Sequence, residues 1–180
     1  MECGCGPVNI VLCDDKCITN VSPVFHPSYR SLFNTMSVTL HTNLGDIKLE
    51  LFCESAPRAC RNFLGLAAAG KYDGTRFHRV IRGFVAQGGD TTGTGKGGSS
   101  IYNNQPFADE FSEGLTHSKR GIVSMASKGP HTNLSQFFIT FEPQPHLDNI
   151  NTIFAKVIDG LSVLDKMEAA DVDAKNRPVE

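Results

Sequence analysis

The sequence predicts a mostly-β domain whose strands close into a barrel, with two helices packed outside it. Three observations carry this. Short runs of alternating apolar and polar residues recur from Val38 onward. Only two stretches have helical spacing, and they do not alternate with the strands as a parallel sheet would require. Many short strands with two helices fit an antiparallel barrel better than repeated βαβ units.

The elements follow in order. Val38-Thr39-Leu40-His41-Thr42 alternates, Leu44-Gly45-Asp46 turns the chain, and Ile47-Lys48-Leu49-Glu50-Leu51 alternates again. This is a hairpin with Ile47, Leu49 and Leu51 directed inward. Ser55 is placed to cap a helix that has Pro57 in its first turn. Cys60, Phe63, Leu64 and Ala67 share one face of that helix, and Gly70 ends it. Strands are predicted near 76–81, 84–89, 121–125, 136–141 and 153–158, and a second helix over 159–169 with Leu161, Leu164 and Met167 apolar.

Composition narrows the function classes. The chain has 180 residues, is 40% hydrophobic and carries a formal net charge of -2. That is one domain with a real core, and it is not a general binder of nucleic acid or anionic membranes. No apolar run approaches the roughly 18 to 20 residues needed to span a bilayer. The start Met1-Glu2 lacks a basic segment, and the apolar stretch from Val8 to Leu12 is too short for a secretion signal. Cys53 and Cys60 read as buried or half-buried thiols. Cys3, Cys5, Cys13 and Cys17 lie in a segment of different character, residues 1–35, which carries Gly4, Gly6, Pro7, Pro23 and Pro27 and no sustained period. It reads as a poorly ordered extension with reduced thiols. The spacing C-x-C then C-x3-C is not a familiar zinc knuckle, so no metal and no cofactor is expected.

The run from Phe77 to Asp90 carries the chemistry. It alternates, breaks at Gly83 and resumes through Phe84-Val85-Ala86-Gln87. Period two places Phe77, Arg79 and Ile81 on one face, an unexpected place for a cation. Arg79 is either a solvated strand-edge residue or a fixed charge across a cleft floored by Phe84, with Gln87 beside it. The second reading suits a neutral, partly apolar substrate whose carbonyl must be polarised. Gly93-Thr94-Gly95-Lys96-Gly97-Gly98 invites a phosphate-loop reading but lacks the required Ser/Thr and the following helix. His78 reads as structural, and Asp109, Glu110 and Glu113 as a solvated acidic face.

With Phe77–Asp90, the segments Ser124-Met125-Ala126, Gly129-Pro130-His131-Thr132-Asn133 and Ser135-Gln136-Phe137-Phe138-Ile139-Thr140 resemble the cyclophilin family of peptidyl-prolyl cis-trans isomerases. The likeness runs from about 37 to 159. Gln144-Pro145-His146-Leu147-Asp148 is similar to the short single-domain cyclophilins of the isomerase-like 3 type, with His where many have Trp. The resemblance implies an eight-stranded antiparallel β-barrel capped by two α-helices, formed by residues 36–180 and truncated before its last strand. It implies catalytic roles for Arg79 and Gln87, and substrate contacts from Phe84, Val85, Ala126, Ser127, Gln136, Phe138, His146, Leu147 and Asn151.

The sequence departs from the common pattern at Val85, Ser127, Lys128, Leu134, His146 and Asn151. The Arg-Phe-Gln centre is intact and its rim is altered, so lowered activity and weak cyclosporin binding are expected. The implied function is cis-trans isomerisation of X-Pro bonds in proteins. The alternative is a catalytically weak proline-peptide binding module in a spliceosome-type complex. Implied partners are proline-containing protein segments, splicing-complex proteins among them, with no direct nucleic acid and no membrane. A monomer in the nucleus or cytoplasm is expected. Without a last strand, the Val38–Thr42 edge is either bare or covered by the one spare β-prone run, Val8-Asn9-Ile10-Val11-Leu12.

Overall fold

The computed structural model describes residues 9–12 and 36–179. Eight strands form one antiparallel sheet: β1 (Asn9–Leu12), β2 (Met36–Thr42), β3 (Gly45–Leu51), β4 (Arg79–Ile81), β5 (Val85–Gly88), β6 (Ile122–Met125), β7 (Phe137–Thr140) and β8 (Ile153–Asp159). Their order across the sheet is β1-β2-β3-β8-β6-β7-β5-β4. Two helices, α1 (Pro57–Ala68) and α2 (Leu161–Ala169), complete the fold. Helix α2 touches both β3 and β4, which stand five places apart in that order. Only a strongly curled sheet brings them under one short helix. The fold is thus the mostly-β, barrel-like one expected, with β1 and β4 at the two ends of the hydrogen-bonded order.

The core fills the inside of the curl. Val38, Leu40, Ile47, Leu49 and Leu51 alternate inward from the β2–β3 hairpin and are at most 4% exposed. Phe63 of α1 sits at the centre of an aromatic group. Its ring lies 5.3 Å from Tyr72, 5.5 Å from Phe137 and 5.2 Å from Phe154, the Phe137 contact being edge-on. Each such pair contributes roughly 0.5 to 1.5 kcal/mol beyond the area it buries.

Several details differ from the sequence reading. The residue before α1 is Ala56, not Ser55, and it offers no side-chain cap. Instead the Glu110 carboxylate accepts the backbone N–H groups of Arg58 (3.0 Å) and Ala59 (2.9 Å). Asp109 accepts from the His131 N–H and the Asn133 amide. Asp109 and Glu110 are therefore structural acceptors, and only Glu113 is a solvated acid. Helix α1 ends in a Schellman arrangement: Lys71 N–H bonds Leu66 O and Gly70 N–H bonds Ala67 O, with Gly70 at φ +65°. Phe77 precedes β4 and is buried, while Val80 is the inward residue of that strand, so Phe77 does not share Arg79's face. Leu161 is 50% exposed; Val163 takes its place beside Leu164 and Met167 in the core.

Both ends of the sheet are covered in part. The β1 backbone pairs antiparallel with β2, matching Asn9 to His41 and Leu12 to Val38. The expected spare run thus lies along the β2 edge. At the other end Val80 N–H donates to Asn176 O at 2.8 Å, so a turn after α2 shields β4. Among the described residues no strand follows α2; a single bridge, Val172 to Pro178, closes that turn. A chain lacking residues 1–35 should lose about 2 to 4 kcal/mol, at roughly 1 kcal/mol net per ladder hydrogen bond, and should self-associate through the bared edge. Urea unfolding and size-exclusion chromatography check this; an unchanged midpoint and elution would refute it. Cys3, Cys5, Cys13 and Cys17 lie outside the described residues.

Candidate active site

The site is built on the outer face of four neighbouring strands. Register pairs Ser124 with Phe138, Phe138 with Gln87, and Gln87 with Arg79. Partners in register point to one side of a sheet, so these four side chains form a row across β6, β7, β5 and β4. The alternating neighbours Ala86, Phe137 and Ile139 belong to the core. Val85 lies two residues from Gln87 on the same face and is buried. The row runs from buried hydroxyl, through aromatic ring and amide, to exposed guanidinium.

A polar relay fixes the amides. Gln136 Nε2 donates to Gly97 O (2.6 Å) and Gly95 O (3.2 Å). Its Oε1 is then the acceptor for Gln87 Nε2 at 2.8 Å. That leaves Gln87 Oε1 facing Arg79 Nη1 at 3.5 Å, the outer limit of a hydrogen bond. Arg79 is steered but only loosely held. The glycine loop that supplies the two carbonyls is itself organised by Asp90, a wholly buried carboxylate. Asp90 accepts from the N–H groups of Thr92, Gly95 and Gly97 and from the hydroxyls of Thr92 and Thr94. A Cβ at Gly97 would collide with Asp90 Oδ1. The glycines serve close backbone approach to an internal carboxylate, a contact the sequence reading does not foresee.

Further aromatic side chains adjoin the row. Phe84 leads out of the turn between β4 and β5, and its ring stacks on His146 at 5.7 Å and 24°. His146 and Leu147 lie in a 3-10 turn, Pro145–Leu147. Gln144 Nε2 donates to Gly83 O at 2.9 Å, tying that turn to the one bearing Phe84. Phe138 is 6% exposed and stacks on His117 at 6.1 Å. Beyond Gln87 lies a cavity of about 130 Å³ bordered by Ala126, Ser127, Lys128, Leu134 and Gln136. The Asn151 amide donates to Met125 O at 3.0 Å, next to Ala126 in the chain.

The sequence missed the residues behind the site. His117 is completely buried. Its Nδ1 is 2.8 Å from Asp148 Oδ1, and its Nε2 is 2.8 Å from Ser124 Oγ. A histidine between Thr116 and Ser118 in a loop carries no local signal for this; only the tertiary fold brings the three together.

Burial lowers His117 below the ordinary imidazole range, against the hydrogen bond its ring donates to Asp148 and with the charge of His146 adding to the fall. Burial lowers His78 likewise, its nearby Asp90 opposing. Burial would raise Asp148, but hydrogen bonds from the His117 N–H and ring outweigh it and hold the carboxyl down. The unfolded chain takes up these imidazole protons near pH 6.5 and the folded chain only at lower pH. Stability should therefore be full above that value and decline as pH falls below it, with a second decline below 3.8 as Asp148 and Asp90 protonate. Urea midpoints measured from pH 8 to pH 3 check this; a flat profile would refute it.

Among the described residues no group of three or more His, Cys, Asp and Glu side chains is placed to hold a metal ion, and no helix is long and apolar enough to cross a membrane. The curled antiparallel sheet with its two helices thus carries an exposed guanidinium and an amide in one row with an aromatic side chain. Residues 37–180 match the family described as cyclophilin type peptidyl-prolyl cis-trans isomerase/CLD, and the chain belongs to that family. It is 59% identical over 145 residues to the peptidyl-prolyl cis-trans isomerase-like 3 of Gallus gallus, covering 80% of this chain and 89% of that protein. It is 60% identical over 146 residues to the protein of the same name from Mycosarcoma maydis, covering 79% and 86%. Among solved structures, a cyclophilin type isomerase of Cryptosporidium parvum superposes with a TM-score of 0.79 at 50% identity, covering 81% of this chain and 91% of that one. The same protein crystallised in the presence of the dipeptide Ala-Pro gives 0.78, with 81% and 92% covered. The chain is a peptidyl-prolyl cis-trans isomerase by family, as the motifs between Phe77 and Leu147 imply.

Proposed function

We propose that isomerisation at this site is carried by Arg79 acting on a proline held between Phe84, Val85, Phe138 and Leu147. Rotation about an X-Pro bond is opposed by amide resonance, a barrier of about 18 to 20 kcal/mol. Catalysis of rotation needs no nucleophile, metal or cofactor. It needs a hollow that holds the ring and a donor that favours the twisted amide over the planar one. In the twisted state the nitrogen recovers its lone pair, and a permanently charged guanidinium can donate to it. The observation that carries this reading is the row Phe138–Gln87–Arg79, which sets one loosely held, exposed cation in line with an amide and an aromatic ring.

Gln87, oriented by Gln136, accepts or donates to the substrate backbone next to the proline. Ala126 and Ser127 border the groove for the preceding residues, and His146 forms the outer wall against Phe84. Asn151 acts indirectly, by holding the Met125 carbonyl at the end of β6. In this reading residues 36–180 are the isomerase domain and residues 1–35 an extension that lends β1. Weak cyclosporin binding goes with it, since His146 has no indole to donate. The reading takes the clients to be proline-containing segments of splicing-complex proteins met by a monomer in the nucleus or cytoplasm; the support is the resemblance to the isomerase-like 3 type.

A protease-coupled isomerisation assay on the purified chain with an Ala-Pro peptide tests the reading. Acceleration above the uncatalysed rate supports it. Peptide binding without acceleration would instead fit the silent binding module. Co-purification with splicing complexes from nuclear extract tests the client class separately.

A further inference from the structure

We propose that His117 is a positioning residue for the proline pocket: it pins the segment 144–151 to the strand behind Phe138 and thereby sets the gap between the pocket's two walls. The inference rests on the pocket reading above. One wall is Phe138, on β7. The other is Phe84 with His146 and Leu147, which arrive on a 3-10 turn outside the sheet. A turn of three residues has no sheet hydrogen bonds to hold it, so something else must fix its distance from β7.

His117 holds it at both ends. Its carbonyl accepts Gln144 N–H at 2.7 Å, just before the turn. Its N–H donates to Asp148 Oδ1 at 2.7 Å, just after the turn. The ring completes the clamp. Ionised Asp148 can only accept, so Nδ1 carries the proton and Nε2 accepts from the Ser124 hydroxyl at 2.8 Å. Ser124 is the register partner of Phe138, and the imidazole itself lies stacked 6.1 Å from the Phe138 ring at 20°. The groups facing the ring are thus Asp148, His146 and the Ser124 hydroxyl. One buried side chain contacts the Phe138 wall by stacking, the β6 strand by its Nε2 and the opposite wall by its Nδ1.

The test is a split of kinetic parameters. His117→Phe keeps a flat ring against Phe138 but loses both ring hydrogen bonds. It should raise KM for an Ala-Pro peptide about fivefold or more while kcat stays within about twofold, since pocket walls bind ground and transition states alike. Asp148→Ala should show the same KM rise, and Asp148→Asn, which keeps an acceptor for the ring and the N–H, should restore most of the affinity. A purely structural role would lower the active fraction, so apparent kcat would fall with KM unchanged. That result in a folded His117→Phe, or in Asp148→Ala should His117→Phe not fold, would overturn the proposal. Arg79→Ala assayed alongside separates the two readings: if it keeps full activity the pocket itself is misplaced, whereas if it loses activity while KM is unmoved in the others, only the role of His117 fails.

Discussion

Arg79→Ala should lower kcat and kcat/KM together by tenfold or more and leave the unfolding midpoint unchanged. Arg79 is exposed, and its one described side-chain contact is the 3.5 Å approach to Gln87. Removing it costs the fold little, because an exposed, loosely paired side chain contributes little to stability. The substrate amide, by contrast, gains its donor only as it twists. Losing a hydrogen bond made in the transition state and not in the ground state reduces both parameters equally, and tenfold corresponds to about 1.4 kcal/mol. Arg79→Lys keeps the charge but not the planar fork, and should recover only part of the rate. Steady-state isomerisation and thermal unfolding decide the matter. Full activity in folded Arg79→Ala would remove the guanidinium from the mechanism.

The largest expected loss of stability is at Phe63, and it should amount to about 3 to 5 kcal/mol on replacement by Ala. Phe63 is 0% exposed and meets Tyr72, Phe137 and Phe154, which come from the loop after α1, from β7 and from β8. The neighbours are held by their own strands and by the Tyr72 hydroxyl, which donates to Ser135 O at 3.0 Å. They cannot collapse into the space, so the cavity persists and its cost adds to the lost burial. Guanidinium unfolding of Phe63→Ala measures this. A loss under about 1 kcal/mol would mean that the site relaxes far more than close-packed interiors do.

The parts of the fold legible in the sequence were those fixed by local pattern. The β2–β3 hairpin shows its inward set because polar and apolar residues alternate there without interruption. Helix α1 shows its buried face through Cys60, Phe63 and Ala67, and its end through Gly70. What was not legible depends on partners remote in sequence. Glu110 caps a helix that starts more than fifty residues earlier, and a sequence window around Ala56 cannot contain it. Asp109 and Glu110 look like surface acids because their acceptors' use is decided elsewhere. In β4 the strand is only three residues long, too short for alternation to say whether Phe77 or Val80 points inward. The site divides in the same way. Arg79, Gln87 and Phe138 were read from motifs, and the register sets them in one row. Asp90 and His117, which hold the loops and walls around them, make their contacts through the finished fold.

The carboxylate of Glu110 has a consequence for how the chain assembles. An isolated helix of 12 residues is marginal in water. Here, among the described residues, the N–H groups of Arg58 and Ala59 in its first turn are accepted by a side chain 52 and 51 residues further on. During synthesis α1 therefore waits, uncapped, until the stretch leading to β6 has left the ribosome, and bringing the two together closes a long loop at an entropic cost. Once made, the contact joins early and late segments in a single cooperative unit: the helix cannot fray at its start without releasing Glu110, nor the 107–115 loop lift away without uncapping the helix.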